Sequence, residues 1–240
     1  MNKLQLKNTT LLSINCVKPI QSVKALLYSS KDIDFAEMVL VSNKFPNETY
    51  KNIRYVNTQK TTYEESSSFF FDELPYIVNT EYCLCIHDDG FVINPHLWTD
   101  EFFKYDYIGS PWKPQPGLGN RVGNCGFVLF SNKFLQLIKN IKHNGSHGDW
   151  ELTNLYYNYF TANGCKYAPI SVAMRFSLES KIPECEYNID NCFGFHGKGD
   201  PTRISIHDGE FQQFQEKENL LERISIHKDD TGCGFIKDTI

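Results

Sequence analysis

The sequence predicts an α/β fold, with one mixed and mostly parallel sheet flanked by helices. Apolar runs of strand length alternate with segments whose apolar residues recur at helical spacing. This alternation is typical of strands that are joined by crossover helices. The chain has 240 residues, of which 41% are hydrophobic, and this length suffices for one large domain with a substantial core.

The first half of the chain supplies four strands and two helices. The predicted elements, in order, are strand 10–17, helix 19–28, strand 37–42, strand 53–56, helix 63–78 and a strand that begins at Tyr82. Pro19 suits the first turn of its helix, whereas Pro75 is expected to kink or end the helix that contains it. Residues 1–8 are polar and are expected to form a frayed terminus.

The second half is less regular. The predicted elements are strand 126–131, helix 132–141, helix 149–160 and strand 166–172. Residues 113–122 are rich in proline and glycine and are expected to form a loop. We assign the α/β domain to residues 9–200 and a helical or irregular extension to residues 201–240, with a helix-like pattern over 210–224.

Composition excludes several classes of function. The net charge is −5, with acids and bases mixed along the chain, so nucleic acid is not expected as a partner. No apolar run reaches the roughly 18 residues of a membrane span. The eight cysteines form no C-x-x-C pair, and no secretory signal is evident. These features favour a reducing, cytoplasmic location, with peripheral association with a membrane left open.

An acidic pair follows the fourth strand and is the strongest chemical signal. The apolar run from Tyr82 to Ile86 is followed by His87, and then by Asp88 and Asp89. A buried parallel strand delivers the residues at its carboxyl end to the crevice where open α/β sheets bind ligands. Adjacent carboxylates there favour Mg²⁺ or Mn²⁺ with a bridging diphosphate, although Asp-Asp-Gly is also ordinary turn composition.

Three later segments are candidates for substrate contact. Glycines around Asn124 allow close backbone approach, and upstream aromatic residues such as Trp112 offer flat faces for a sugar or base. Asp149 is a candidate general base at a helix start, where it is also a good N-cap. His196 lies between glycines and suits a metal or phosphate, although an exposed loop histidine is the alternative.

Taken in order, these segments resemble the GT-A class of nucleotide-sugar glycosyltransferases. The likeness is closest to a family of small bacterial, fungal and viral domains in that class, and it covers roughly residues 9 to 200. The matching segments are Ile86-His87-Asp88-Asp89-Gly90, Tyr105-Asp106-Tyr107-Ile108-Gly109-Ser110-Pro111-Trp112, Val122-Gly123-Asn124-Cys125-Gly126-Phe127, the acidic motif at Asp149, Phe176-Ser177-Leu178-Glu179 and Phe193-Gly194-Phe195-His196-Gly197.

The resemblance implies a metal-dependent, inverting hexosyltransferase of polysaccharide biosynthesis. It would move a sugar from a nucleotide diphosphate sugar, with a UDP-sugar as the first choice, to a hydroxyl of a glycan or lipid-linked acceptor. Mn²⁺ or Mg²⁺ would be held by Asp89, Asp88 and His196, with Asp89 ranked first. The base would be Asp149, with Glu151 as its substitute. The donor nucleotide would contact Asn15, Cys16, Val17, Ser42, Asn43 and His87, and the sugar or acceptor would contact Tyr107, Trp112, Arg121, Gly123, Asn124 and Gly126.

Two departures from the family pattern leave alternatives open. The acidic motif is Asp-Asp-Gly and not the spaced Asp-x-Asp, and Gly148 stands where relatives often have glutamate before the aspartate. A non-catalytic protein that binds nucleotide sugars is therefore one alternative. A metal-dependent phosphohydrolase or nucleotidyltransferase that uses the same acidic pair is another.

Overall fold

A computed structural model of the chain describes residues 3–46, 48–185, 188–197 and 223–225. The strands are β1 (Leu4–Ile14), β2 (Ile33–Ser42), β3 (Glu48–Tyr50), β4 (Ile53–Asn57), β5 (Tyr82–Ile86), β6 (Gly90–Val92), β7 (Tyr107–Ile108), β8 (Phe127–Ser131), β9 (Ser177–Leu178), β10 (Gly194–His196) and β11 (Arg223–Ser225). The α-helices are α1 (Pro19–Ser30), α2 (Tyr63–Asp72), α3 (Leu74–Ile77), α4 (Asn132–Ile138), α5 (Gly148–Trp150), α6 (Tyr157–Ala162) and α7 (Ile170–Phe176).

The predicted α/β class is confirmed. A six-stranded sheet has the order β4-β2-β1-β5-β8-β7, and its first four strands run parallel to one another. Strand β8 returns antiparallel to β5 and β7, so the sheet is mixed and mostly parallel as predicted. Residues 83–86 of β5 are completely buried, as expected for a central strand that is covered on both faces.

The first strand begins earlier than predicted. Residues 4–8 belong to β1 and do not fray, because Leu4 pairs with Ile33 of β2 and Leu6 packs in the core. The predicted interruption of helix 63–78 is confirmed, because α2 ends at Asp72 and α3 starts a new helix with proline in its first turn.

The predicted strand over residues 166–172 is wrong. Tyr167 forms only an isolated bridge with Tyr107, and helix α7 begins at Ile170, directly after Pro169. The predicted helix over 149–160 is divided into α5, a π-helical segment (Glu151–Leu155) and α6. A π-helical turn widens the helix locally and often marks a functional region.

A small second sheet was missing from the sequence prediction. It has the order β6-β10-β9 and joins the segment after the acidic pair to two segments from the end of the domain. Its strands are only two or three residues long, which is too short for an alternation pattern to show in sequence.

The extension is described only at β11. This strand pairs antiparallel with β3, so the predicted helix does not reach Arg223 and Ile224. The rest of that predicted helix and the boundary between residues 200 and 201 lie outside the described residues. Among the described residues, no helix is long and apolar enough to cross a membrane.

Candidate functional site

The acidic pair lies in a tight turn between the central sheet and the small sheet. Strand β5 ends at Ile86, and the Gly90 N–H donates to the carbonyl of His87 at 3.2 Å to close the turn. The His87 N–H donates to the carbonyl of Gly126 at 2.9 Å, which ties the turn to the segment before β8. Asp88 and Asp89 therefore lie at the carboxyl end of the parallel strands, as the sequence predicted.

Strand pairing brings His196 to this turn from more than a hundred residues away. Strand β10 runs antiparallel to β6, with His196 opposite Gly90. The Gly197 N–H donates to the carbonyl of Asp89 at 3.1 Å, which fixes the end of β10 against the turn. The His196 Nε2 atom lies 3.3 Å from Asp89 Oδ1, and its ring makes an edge contact with the ring of His87.

These three side chains form a cluster that fits a divalent cation. One ligand atom from each of His87, Asp89 and His196 lies within 4.8 Å of the others. Carboxylate oxygen suits Mg²⁺ and Mn²⁺, and imidazole nitrogen is a ligand of first-row divalent metals such as Zn²⁺ and Fe²⁺. Asp88 lines the same cavity but does not belong to this group of three atoms, so the geometry favours Asp89 as the nearer carboxylate.

The His196 ring packs on the segment of residues 123–126, and this packing explains why Asn124 and Gly126 occupy their positions in the Gly-Asn-x-Gly pattern. A Cβ atom at Gly126 would overlap the imidazole, so only glycine admits the ring at this place. Asn124 is buried in the left-handed region at φ 63°, a conformation that asparagine tolerates better than most residues. Its Oδ1 accepts from the Gly126 N–H at 2.7 Å, and its Nδ2 lies 2.9 Å from His196 Nδ1.

Two carboxylates flank the same ring. Besides the Asp89 contact at Nε2, Glu179 Oε1 lies 3.4 Å from His196 Nδ1. Burial lowers the pKa of His196, but the hydrogen bonds to Asp89 and Glu179 outweigh it and raise the pKa to about 9. In the absence of a cation, the ring is therefore protonated at neutral pH.

A cavity of about 370 Å³ opens beside this cluster. Four of the six residues predicted to contact the donor nucleotide line it, namely Asn15, Cys16, Val17 and His87. Asn15 shapes its loop, because its Oδ1 accepts from the backbone N–H groups of Val17 and Lys18 at 2.9 and 2.6 Å. The walls also include Asp88, Asp89 and His196, so the predicted nucleotide segment and the cation cluster share one cavity.

The other two predicted nucleotide contacts do not line the cavity. Ser42 is buried and donates its hydroxyl to the carbonyl of Asn15 at 2.7 Å, so it supports the loop from behind. The Asn43 Oδ1 atom is also buried, and it makes no hydrogen bond within the described residues.

Four cavity residues were not predicted from the sequence. They are Ile14, Lys18, Thr62 and Ser66. Lys18 directly follows the predicted segment and adds a positive charge to the cavity. Thr62 is the N-cap of α2 and forms a capping box with Glu65. The Thr-x-x-Glu spacing is visible in the sequence, but it does not indicate that the start of this helix lines the cavity.

Asp149 and Glu151 have different surroundings. Burial raises the pKa of the Asp149 carboxyl, the Trp150 N–H and His147 lower it, and the negative field of Glu179 raises it further. The carboxylate of Glu151 is fully buried and accepts from the backbone N–H groups of Asn144 and Ser146 at 3.0 and 2.8 Å.

His143 Nδ1 also lies 2.9 Å from the Glu151 carboxylate. Glu151 thus holds the loop before α5, and neither it nor Asp149 is among the residues that line the cavity. Gly148 packs so closely on α2 that a Cβ atom would lie 2.9 Å from the carbonyl oxygen of Ser67. This contact accounts for the glycine at position 148.

The predicted sugar-contacting residues are divided between core and surface. Tyr107 is completely buried among Phe130, Phe134 and Tyr167, so its ring packs in the core and presents no face to a ligand. The Trp112 ring packs directly on Gly123, where a Cβ atom would overlap it.

Arg121 secures the end of the loop that follows Trp112. Its Nε donates to the carbonyl of Trp112 at 3.0 Å, and its two terminal nitrogens donate to Glu184 at 2.5 and 3.0 Å. Asn154, from the π-helical segment, holds the same loop by accepting from the N–H groups of Gly119 and Asn120, both at 3.1 Å. The loop is therefore anchored on both sides.

The fold and cavity define an α/β protein with a candidate cation and nucleotide site at the carboxyl edge of its sheet. Residues 42–196 match the family described as protein of unknown function (DUF5672), and the chain belongs to that family. No curated protein matches the chain.

Similar solved structures include two glycosyltransferases. One is the galactosyltransferase LgtC in complex with donor and acceptor sugar analogues, at 14% identity and a TM-score of 0.48, over 90% of this chain and 97% of that one. Another is a glycosyltransferase involved in the glycosylation of the major capsid of PBCV-1, at 16% identity and a TM-score of 0.49, over 85% of this chain and 98% of that one.

Proposed function

We propose that the protein is a metal-dependent, inverting glycosyltransferase of the GT-A type. It would move a sugar from a nucleotide diphosphate sugar to a hydroxyl of a glycan or glycoconjugate. The observation that carries the proposal is the shared cavity, in which the cluster of His87, Asp89 and His196 adjoins the loop of residues 15–18. A cation cluster beside a cavity at the carboxyl edge of a parallel sheet is suited to a nucleotide diphosphate.

The donor would lie across the floor of this cavity. The loop after β1 offers Asn15 and Val17 as one wall, and the start of α2 offers the hydroxyl groups of Thr62 and Ser66. Lys18 supplies a positive charge for a phosphate oxygen. We propose a UDP-sugar as the donor, as the resemblance implies.

His87, Asp89 and His196 would hold Mn²⁺ or Mg²⁺, with Asp88 beside them. When bound, such a cation neutralises the charge that develops on a departing diphosphate. The protein's own contribution is to fix the ligands. The His196 ring packs against Gly126, and the Gly197 N–H donates to the carbonyl of Asp89 and holds the turn.

We propose Asp149 as the base that takes the proton of the acceptor hydroxyl. Burial raises the pKa of this carboxyl, and a raised pKa makes an aspartate a better proton acceptor at neutral pH. A base on the face opposite the leaving group gives inversion. Glu151, the predicted substitute, is engaged by the loop of residues 143–146, and we propose a supporting role for it.

The biological setting is also a proposal. We propose polysaccharide biosynthesis in the cytoplasm, with a lipid-linked saccharide or another glycan as acceptor and with peripheral membrane association as an option. The aromatic residue that would flank the sugar is Trp112, because Tyr107 is enclosed in the core.

The test combines ligand binding with turnover. The protein is incubated with a panel of nucleotide sugars, with and without Mn²⁺, and its melting temperature and slow donor hydrolysis are followed. We expect stabilisation that requires both the metal and the nucleotide sugar, together with hydrolysis of the bound donor. If no nucleotide sugar shifts the melting temperature at any metal concentration, the transferase proposal is wrong. Stabilisation without hydrolysis or transfer would favour a non-catalytic binding protein.

A matched pair of variants locates the effect. Asp89→Ala is expected to abolish metal-dependent nucleotide binding. Asp34→Ala removes an equivalent charge at the amino end of β2, where Asp34 pairs with Lys7 on the surface, and it should bind as the wild type does. Equal losses in both variants would show that overall charge, and not the cluster, governs binding.

A further inference from the structure

Glu179 ends the segment Phe176-Ser177-Leu178-Glu179, which resembles the GT-A class, and it is not among the proposed ligands or substrate contacts. It directly follows β9, which pairs parallel with β10 through Gly194 opposite Ser177 and Phe195 opposite Leu178. Glu179 and His196 each come one residue after the last pair of this ladder, and Glu179 Oε1 lies 3.4 Å from His196 Nδ1.

We propose that Glu179 is the positioning residue of the cation site: it keeps a proton on His196 Nδ1 and thereby offers Nε2 to the cation. This inference rests on the proposed function. Nε2 is the ring nitrogen that faces Asp89, at 3.3 Å, so it is the nitrogen on the side of the cluster. An imidazole binds a metal through a nitrogen that carries no proton, and its other N–H commonly donates to a carboxylate.

Asn124 favours the opposite protonation of His196 Nδ1, namely a nitrogen without a proton. Its Oδ1 is engaged by the Gly126 N–H at 2.7 Å, which turns its amino group toward His196 Nδ1, at 2.9 Å. An amino group donates to a nitrogen without a proton, so Asn124 favours the tautomer whose proton is on Nε2. That tautomer cannot bind a cation through Nε2.

Glu179 and Asn124 therefore favour different tautomers of His196: Glu179 favours a proton on Nδ1, and Asn124 favours a proton on Nε2. Asn124 is the nearer neighbour of Nδ1, at 2.9 Å against 3.4 Å for Glu179, but Glu179 is a charged acceptor, and a charged partner strengthens a hydrogen bond about twofold. Its side chain is 30% exposed and that of His196 is 15% exposed, so water screens the contact only in part. Loss of Glu179 would leave Asn124 unopposed and weaken cation binding.

The test measures the affinity for Mn²⁺ alone over a range of pH, from the electron paramagnetic resonance signal of the free ion, and compares the limiting affinities that the proteins reach once His196 has lost its proton, because loss of Glu179 also lowers the pKa of this ring. Glu179→Gln is expected to weaken binding by about 10- to 100-fold, as is typical when the partner of a metal-bound histidine is lost. Glu81→Gln is the matched control. It removes the same charge at the opposite end of β5, where Glu81 is exposed and accepts from Asn8. This control should bind Mn²⁺ as the wild type does.

A double-mutant cycle separates positioning from plain charge. In the His196→Ala background, Glu179→Gln is expected to change Mn²⁺ affinity by less than about threefold, because the residue through which it acts is gone. An equal loss in both backgrounds would overturn the inference and leave the proposed function intact. Absence of Mn²⁺ binding in the wild type would overturn the proposed metal site and the inference with it.

Two further variants complete the test. Asn124→Asp keeps an oxygen for the Gly126 N–H and replaces the competing amino group by an acceptor at a φ that aspartate tolerates, so Mn²⁺ should bind at least as tightly as in the wild type. Weaker binding by this variant would contradict the competition between Asn124 and Glu179. If Glu179→Gln does not fold, Glu179→Asp replaces it. This variant keeps the charge but withdraws the carboxylate, and the same loss of affinity is expected.

Discussion

Raising the pH is expected to strengthen Mn²⁺ binding, because His196 must release a proton before its Nε2 atom can bind a cation. The pKa of His196 is raised to about 9, since its hydrogen bonds to Asp89 and Glu179 outweigh the opposing effect of burial. At about pH 7, only about one ring in a hundred lacks the proton, which corresponds to a binding penalty of about 3 kcal/mol. Below the pKa, this penalty falls by about 1.4 kcal/mol for each pH unit.

The assay is a set of Mn²⁺ titrations between about pH 6.5 and pH 8.5. The dissociation constant should fall about tenfold per pH unit, or about a hundredfold over the range. His196→Ala is the control, and its affinity should be weaker and much less dependent on pH. A wild-type dissociation constant that is the same at both ends of the range would refute the assignment of His196 as a ligand.

The stability of the metal-free protein should change in the opposite direction. A histidine whose pKa is higher in the folded state stabilises that state below its unfolded pKa of about 6.5, and the stabilisation is lost as the pH rises to about 9. For His196, the loss amounts to about 3 kcal/mol. Urea unfolding in the presence of a chelator should show this decline in the wild type and not in His196→Ala.

Three further predictions follow from the packing of the site. Gly126→Ala should displace the His196 ring and weaken Mn²⁺ binding, whereas Gly119→Ala, whose nearest neighbour would lie at 3.8 Å, should not, as the same titration would show. Asp149→Asn should spare donor binding but stop transfer; in the wild type, the fall in transfer rate at acid pH should occur above the usual range for aspartate, because burial raises the pKa of this carboxyl. Glu151→Gln should lower the free energy of unfolding by about 2 kcal/mol, because its new amino group must face a backbone N–H group. Unchanged thermal stability would contradict the last prediction.

Local signals in the sequence determined the scaffold of the site. The apolar run from Tyr82 to Ile86 specifies a central strand, because a strand covered on both faces needs apolar residues on both. The two aspartates that follow it therefore had to lie at the carboxyl edge of the sheet. Pro75 interrupts its helix because it has no N–H group to donate, and this consequence is also local.

Patterns of composition could not separate core from surface among the aromatic residues. Tyr107 and Trp112 belong to one motif, yet Tyr107 packs in the core and Trp112 lies half-buried on Gly123. The prediction of a strand over residues 166–172 was wrong for a similar reason. The apolar residues of this segment suit a strand or a helix, and in the structure helix α7 begins directly after Pro169.

Only the tertiary structure decided which side chains meet at the site. The sequence proposed His196 as a ligand through resemblance, but the pairing of β10 with β6 places its ring beside Asp89. The pairing of β10 with β9 then brings Glu179 to the other side of the ring. These strands are too short to leave a pattern, and the register of β10 on β6 depends on contacts between segments about a hundred residues apart. A sequence records the residues that each strand carries, whereas the distances between their side chains are set by pairing and packing.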